Sequence, residues 1–403
     1  MTKRHTRITY FILSLVLILS VLLSACSRAT PTPTPVPPTP TPKQEAPTPQ
    51  PTAPKQPPAA TPTPAEEAKP PLYDKVESGE LVLYSYEETV TDDFLQGFRE
   101  AYPQVKLKTA VYGELDEALA KLRGGFKADV FNPCVDYIPT LTKLDLIEPI
   151  DTSLIPRWND LFPFFRNLPE IQAGDGKVWM VPQDAGLEGI MYRTDKIDPP
   201  PTSWKDLWNE KYAGHIAMED YARNAIAVAA LALGYKDPYH LNDQDLEKVK
   251  EYLIKQKPLL LSYFESDADI DNMFKAGDVW ISFGWTSDAN TLREEEGIPV
   301  EYVSPKEGAL SWICGYSILK GTKMPYAAHA LINHYLDPKV QYIEVTDFEY
   351  FVSNQKVLDL LTPEEIAAVR LDRPEEIANA HVEIIPDNYD KWLQIWEEVK
   401  SAP

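Results

Sequence analysis

Apolar and polar residues divide the chain into three stretches. From Ile8 to Leu23 the side chains are apolar apart from small hydroxyl residues and Tyr10. From residue 28 to 71 the pattern breaks down into Thr-Pro repeats and then Pro, Ala, Gln and Lys. Such a segment lacks the apolar side chains to build a core, and its prolines keep it extended. From Leu72 onward, short apolar runs alternate with amphipathic stretches.

In this third stretch Leu81–Tyr84 reads as a buried strand, with Tyr86, Glu87 and Glu88 at its C-terminal end. Asp92 or Asp93 is placed to cap a helix through Phe94, Phe98 and Tyr102, which Pro103 ends. Val105–Val111 alternates as a strand does. A helix through Leu115, Leu119 and Leu122 stops at Gly124-Gly125, and Asp129–Phe131 is the next short strand. This β-α-β-α-β order predicts a parallel, doubly wound sheet.

Residues 199–224 carry the densest punctuation. Pro199, Pro200 and Pro201 precede the caps Thr202 and Ser203, and Trp204, Leu207 and Trp208 then share one face of a short helix as packing residues. His215–Met218 reads as a buried strand. Glu219, Asp220 and Tyr221 follow at its C-terminal edge, where open α/β sheets place ligands. A helix from about Asn224 to Leu233 comes next. Further on, a helix is expected around 242–255, a strand over Val279–Phe283 and another over Leu310–Cys314. Trp392 and Trp396 lie four apart, as packing residues of a terminal helix.

The 403 residues suffice for two domains, and 44% hydrophobic content suits a sizeable core. The formal charge is −22. Without Lys3, Arg4 and Arg7 it becomes −25, three positive charges fewer. That balance argues against nucleic acid, whose phosphates need Lys and Arg, and favours cations near an acidic cleft. No Gly-x-Ser-x-Gly turn, phosphate-binding glycine loop or His-Glu-x-x-His motif is present, so an enzyme is not expected. His329 and His334 are five apart, the wrong spacing for one helix face, and no metal or cofactor is expected.

Two resemblances sharpen this reading. Leu23-Ser24-Ala25-Cys26 resembles a bacterial lipobox, which implies cleavage after residue 25 and a diacylated Cys26. The Ser-Trp-x-Asp-Leu-Trp helix at 203–208, the Lys211-Tyr212-x-Gly214 that follows and the strand ending in acids resemble the spermidine/putrescine-binding proteins of bacterial ABC importers. That likeness runs from about Leu81 to Asn354. It implies a type II periplasmic-binding-protein-like α/β fold: two lobes, each a mainly parallel doubly wound sheet, with the ligand cleft at the hinge. The implied division is 1–25 signal peptide, 26–71 lipidated cysteine and linker, 72–186 lobe one, 187–311 lobe two, and 312–403 the return to lobe one plus C-terminal helices.

The same resemblance marks ligand positions. Its aromatic positions fall on Tyr86, Trp285, Trp312 and Tyr350, all aromatic here, and its acids fall on Tyr221, Asn224 and Cys314, none of them acidic. A family tyrosine falls on Asp136. Asp136, Asp184, Glu188, Glu219, Asp220 and Asp288 are candidates to replace the missing charges. Cys134 and Cys314 are both implied to line the cleft, either bridged across 180 residues or as two free thiols. The implied function is capture of a small solute, a cationic amine in the first instance, by a monomeric, lipid-anchored, extracytoplasmic protein that serves an ABC permease. Another small polar solute, a hydrolase with a carboxylate pair, or an adhesion module on a stalk are the competing readings.

Overall fold

The computed structural model describes residue 72 and residues 74–403. The apolar leader, Cys26 and the Thr-Pro tract lie outside these residues. Among the described residues no helix is long and apolar enough to cross a membrane.

Three parallel strands open lobe one: β1 (Gly79–Ser85), β2 (Val105–Val111) and β3 (Val130–Phe131). Leu81 and Leu83 are fully buried, and Leu81 stands opposite Leu107. Helix α1 (Asp92–Ala101) buries Phe94, Leu95 and Phe98. Its N-cap is Thr91 rather than Asp92 or Asp93: Thr91 is already extended, and both acids sit in the first turn. There they still favour the positive end of the helix dipole. Helix α2 (Leu115–Arg123) follows β2.

Strand β4 (Val181–Arg193) is thirteen residues long, almost wholly buried, and carries the chain into lobe two. Ser203 and Asp206 form a capping box around the 3-10 turn Trp204–Trp208. Trp204 is fully buried and donates its indole N–H to the Gly308 carbonyl at 2.8 Å. Lobe two then adds β5 (Ile216–Glu219), α3 (Ala222–Leu233), α4 (Asp243–Gln256), β6 (Leu260–Phe264), α5 (Asp267–Ala276), β7 (Ile281–Trp285) and α6 (Thr286–Glu294). Strand β8 (Leu310–Leu319) returns to lobe one, where α7 (Pro325–Tyr335) and α8 (Pro338–Phe348) pack.

The main sheet runs β6-β5-β7-β4-β8-β3-β1-β2. Its outer strands pair in parallel within each lobe, while the central pair β4 and β8 is antiparallel and spans both. Trp312 stands opposite Gly186 and Cys314 opposite Asp184, and the ladder is irregular between Cys314 and Gly315. Such irregularities bend a strand. This one lies where the two lobes join.

A third crossing was not anticipated. After α8, Phe351–Val352 pairs with Ala185 and Asp184 of β4. The chain then passes to lobe two, where Pro363–Ala368 packs on α6 and His381–Val382 pairs with Leu310 and Ser311. Helix α9 (Tyr389–Ser401) covers α3 and α4. The final part of segment 312–403 therefore belongs to lobe two. Trp392, Ile395, Trp396 and Val399 form one buried stripe at helical spacing, and that stripe needs the apolar faces of α3 and α4.

Candidate ligand cleft

Gly186 is the floor of the cleft. A Cβ at this position would fall inside the indole of Trp312, so only glycine lets the ring lie flat on β4. Trp312 meets Tyr350 edge-on, with ring centroids 4.9 Å apart. Trp285, at the end of β7, donates its indole N–H to Glu188 at 3.1 Å. Tyr86, just beyond β1, packs on Tyr112 at 4.6 Å. Trp312 is a wall of two cavities. One, of about 400 Å³, is lined by Tyr86, Asp136, Tyr221, Arg223 and Glu383. The other, of about 250 Å³, is lined by Asp267, Trp285, Glu349 and Tyr350.

Because side chains alternate along a strand, Asp184, Gly186 and Glu188 share one face of β4. Asp184 is buried and its Oδ1 has no hydrogen-bond partner. Burial, then the charge of Glu88, pushes its carboxyl up to about 7. Asp288, in the first turn of α6, has an unpartnered Oδ2. Burial pushes it up to about 8, helped by Asp267, Asp271 and Glu349. Glu188 is pushed well above the carboxylate range by burial and by the charges of Glu383 and Glu219. Glu219 accepts a bond from Asn224 at 2.9 Å, and burial still holds it at about 8.

One cation sits among these acids. The Arg223 guanidinium donates to Asp136 at 2.7 Å and to Glu383 at 2.7 Å, with all three residues buried. Asp136 follows β3 of lobe one, whereas Arg223 opens α3 of lobe two. The pair therefore bridges the cleft.

The structure gathers Tyr86, Cys134, Asp136, Tyr221 and Trp312 around the larger cavity, and Trp285, Trp312 and Tyr350 around the smaller. Glu188 joins them through Trp285, and Glu219 with Asn224 lies close to the Arg223 cluster. Cys134 and Cys314 are joined in a disulfide that ties the end of β3 to β8. Asp220 does not face the cleft. It accepts the Trp396 indole N–H at 2.8 Å and pairs with Lys400 at 3.1 Å, because α9 docks onto the loop after β5.

Sequence reasoning missed Arg223 and Glu383. Arg223 had a signal: it is the only charged residue in a helix otherwise made of Ala, Ile, Leu, Val and one Asn. A charge there must find a buried partner. Glu383 lies in an irregular segment that carries no pattern. Among the described residues, no group of three or more His, Cys, Asp or Glu is arranged to hold a metal ion.

Comparison with known proteins agrees with this architecture. The family model for bacterial extracellular solute-binding proteins matches residues 94–370. Spermidine/putrescine-binding periplasmic protein 1 of Haemophilus influenzae is 28% identical over 79% of this chain and 88% of its own. The spermidine/putrescine-binding periplasmic protein of Salmonella typhimurium is 30% identical over 70% and 80%. The putrescine/agmatine-binding protein of Pseudomonas aeruginosa is 27% identical over 79% and 91%. In fold, the spermidine/putrescine ABC transporter substrate-binding protein PotD of Streptococcus pneumoniae superposes with a TM-score of 0.68 at 24% identity, covering 80% of this chain and 98% of that one. The Tp0655 lipoprotein of Treponema pallidum gives 0.64 at 20% identity, covering 80% and 99%. With two lobes, a three-strand crossing and a family match over most of its length, this chain belongs to the bacterial extracellular solute-binding proteins.

Proposed function

We propose that the protein captures a small cationic amine of the polyamine class and hands it unchanged to an ABC permease. One observation carries this reading. Carboxyls with unpartnered oxygens lie by the box of Tyr86, Trp285, Trp312 and Tyr350: buried Asp184 near Tyr86 and Tyr350, buried Glu188 bonded to Trp285, and half-buried Asp288 near Asp267 and Glu349 of the smaller cavity. Aromatic faces attract alkyl ammonium groups. A carboxylate without a partner is costly in such a place until a cation arrives. Binding therefore favours the form in which the lobes close on the ligand, and β4 and β8 are the strands about which they move.

The test uses ligand-stripped protein with putrescine and spermidine. At a hundred times the dissociation constant, a ligand stabilises the fold by about 2.7 kcal/mol, which appears as a higher melting temperature. Trp285→Ala keeps its fold and loses most of that shift. Unchanged melting with every amine tried would refute the reading.

We infer further that residues 26–71 are a spacer on a lipid anchor at Cys26, holding a monomeric binding domain outside the cytoplasm. Two acyl chains anchor stably where one does not. Cys26→Ala then moves the protein to the aqueous phase on detergent partition. Retention in the detergent phase would point instead to an uncleaved apolar helix.

A further inference from the structure

We propose that Arg223 and Asp136 are a closure latch: their bond across the cleft holds the two lobes together with or without a ligand, and so limits how fast a ligand enters and leaves. The inference needs a ligand that enters between the lobes, whatever its identity.

Both halves of the latch are set before the lobes meet. In lobe two, Arg223 gives one arm of its fork to Glu383 at 2.7 Å, and the Tyr221 ring lies 5.3 Å from its guanidinium. Glu383 is itself fixed, since its backbone N–H donates to the Ser311 carbonyl at 2.9 Å. In lobe one, Asp136 lies in the short turn Val135–Tyr137 after β3. Buried Val135 and the disulfide from Cys134 to Cys314 hold that turn. The other arm of Arg223 then reaches Asp136 at 2.7 Å. A bond between two preset groups requires little further ordering. It is charge-assisted, and no more than 7% of Asp136, Arg223 or Glu383 is exposed, so water and salt compete with it weakly.

A second bond of this kind lies on the other side of Trp312. Asn290 of α6, in lobe two, donates to Glu349 at the end of α8, in lobe one, at 2.9 Å. The Asn290 amide also donates to the Ala368 carbonyl at 2.9 Å, which holds it in lobe two. Glu349 lines the smaller cavity, as Asp136 and Arg223 line the larger, and Trp312 is a wall of both. Both bonds are made wholly within the chain. Opening the cleft about β4 and β8 parts both pairs. A contact that the closed form makes by itself favours closure of the unliganded protein as well as the liganded one. Entry and release each require the open form, so both are slowed.

Stopped-flow fluorescence of ligand-stripped protein with putrescine tests this, with Trp285 and Trp312 as reporters in the cleft. Asp136→Ala removes the lobe-one half, while Arg223 keeps Glu383 and is not left unpaired. It is expected to raise the association rate and the dissociation rate by about tenfold or more. Loss of a ligand contact would raise the dissociation rate alone. Asp136→Asn, whose amide oxygen still accepts a bond, falls between, and Glu349→Ala raises both rates in the same sense. Small-angle X-ray scattering gives a reading that needs no ligand. The ligand-stripped wild type is expected to be more compact than Asp136→Ala, and putrescine to contract the variant but not the wild type. If Asp136→Ala does not fold, Asp136→Asn carries both measurements. If neither folds, scattering of the wild type with and without putrescine decides. A wild type that contracts on binding, or an Asp136 variant with an unchanged or slower association rate, overturns the latch and leaves the amine reading intact. A wild type that binds neither putrescine nor spermidine overturns the amine reading, and the latch then stands or falls on whether the ligand-stripped variant is larger than the wild type.

Discussion

Amine binding should be coupled to proton release, and the coupling can be worked from buried Asp184 and half-buried Asp288. Asp288 is held at about 8 and Asp184 at about 7, in both cases chiefly by burial. An acid whose folded value is raised adds stability that is fully present below the ordinary carboxylate range. That stability is lost as pH rises through the raised value. The unliganded protein should therefore lose stability between about pH 4 and pH 8, in the span these shifts set. An ammonium reverses the preference, because it pairs with the ionised form. At pH 6, ionising Asp288 costs about 2.7 kcal/mol and Asp184 about 1.4 kcal/mol, at 1.36 kcal/mol per pKa unit. A diamine stays protonated well above pH 8.5. Putrescine binding should thus tighten between pH 6 and 8.5 by about tenfold if it pairs with Asp184 alone, about a hundredfold with Asp288 alone, and about a thousandfold with both. Calorimetry at pH 6.5 in two buffers of different ionisation enthalpy reads the released protons directly, and Asp288→Asn should reduce their number. A dissociation constant constant within threefold across this range, with no proton released, would refute the electrostatic account of the cleft.

Two further outcomes follow from the packing. Gly186→Ala places a methyl group inside the Trp312 indole, so the ring must leave β4. The expected cost is about 1–3 kcal/mol of stability, with amine affinity down at least about tenfold through the lost aromatic wall; a denaturant titration and calorimetry check both, and wild-type values in both would show that Trp312 is not part of the site. Asp220→Asn weakens the docking of α9 through Trp396 and Lys400 by about 1 kcal/mol and leaves amine affinity unchanged. A tenfold loss of affinity in this variant would return Asp220 to the cleft.

Much of the architecture was legible along the chain because it rests on local patterns. Leu81–Tyr84, the capped turn at Trp204–Trp208 and the stripe of Trp392 and Trp396 announce themselves by spacing, since strand and helix periods are properties of neighbouring residues. The resemblance carried the two-lobed division and the four aromatic positions. Tertiary structure decided the rest. Asp220 and Glu219 are adjacent at the same strand end, yet one pairs with α9 and the other lies by the cleft, because alternation sends neighbouring side chains to opposite faces and only the packing of α9 says which face is covered. Asp136, Arg223 and Glu383 meet from positions 87 and 160 residues apart. No local pattern encodes that meeting. It follows from three crossings between the lobes, and from the rule that a charge buried by folding must end beside its opposite.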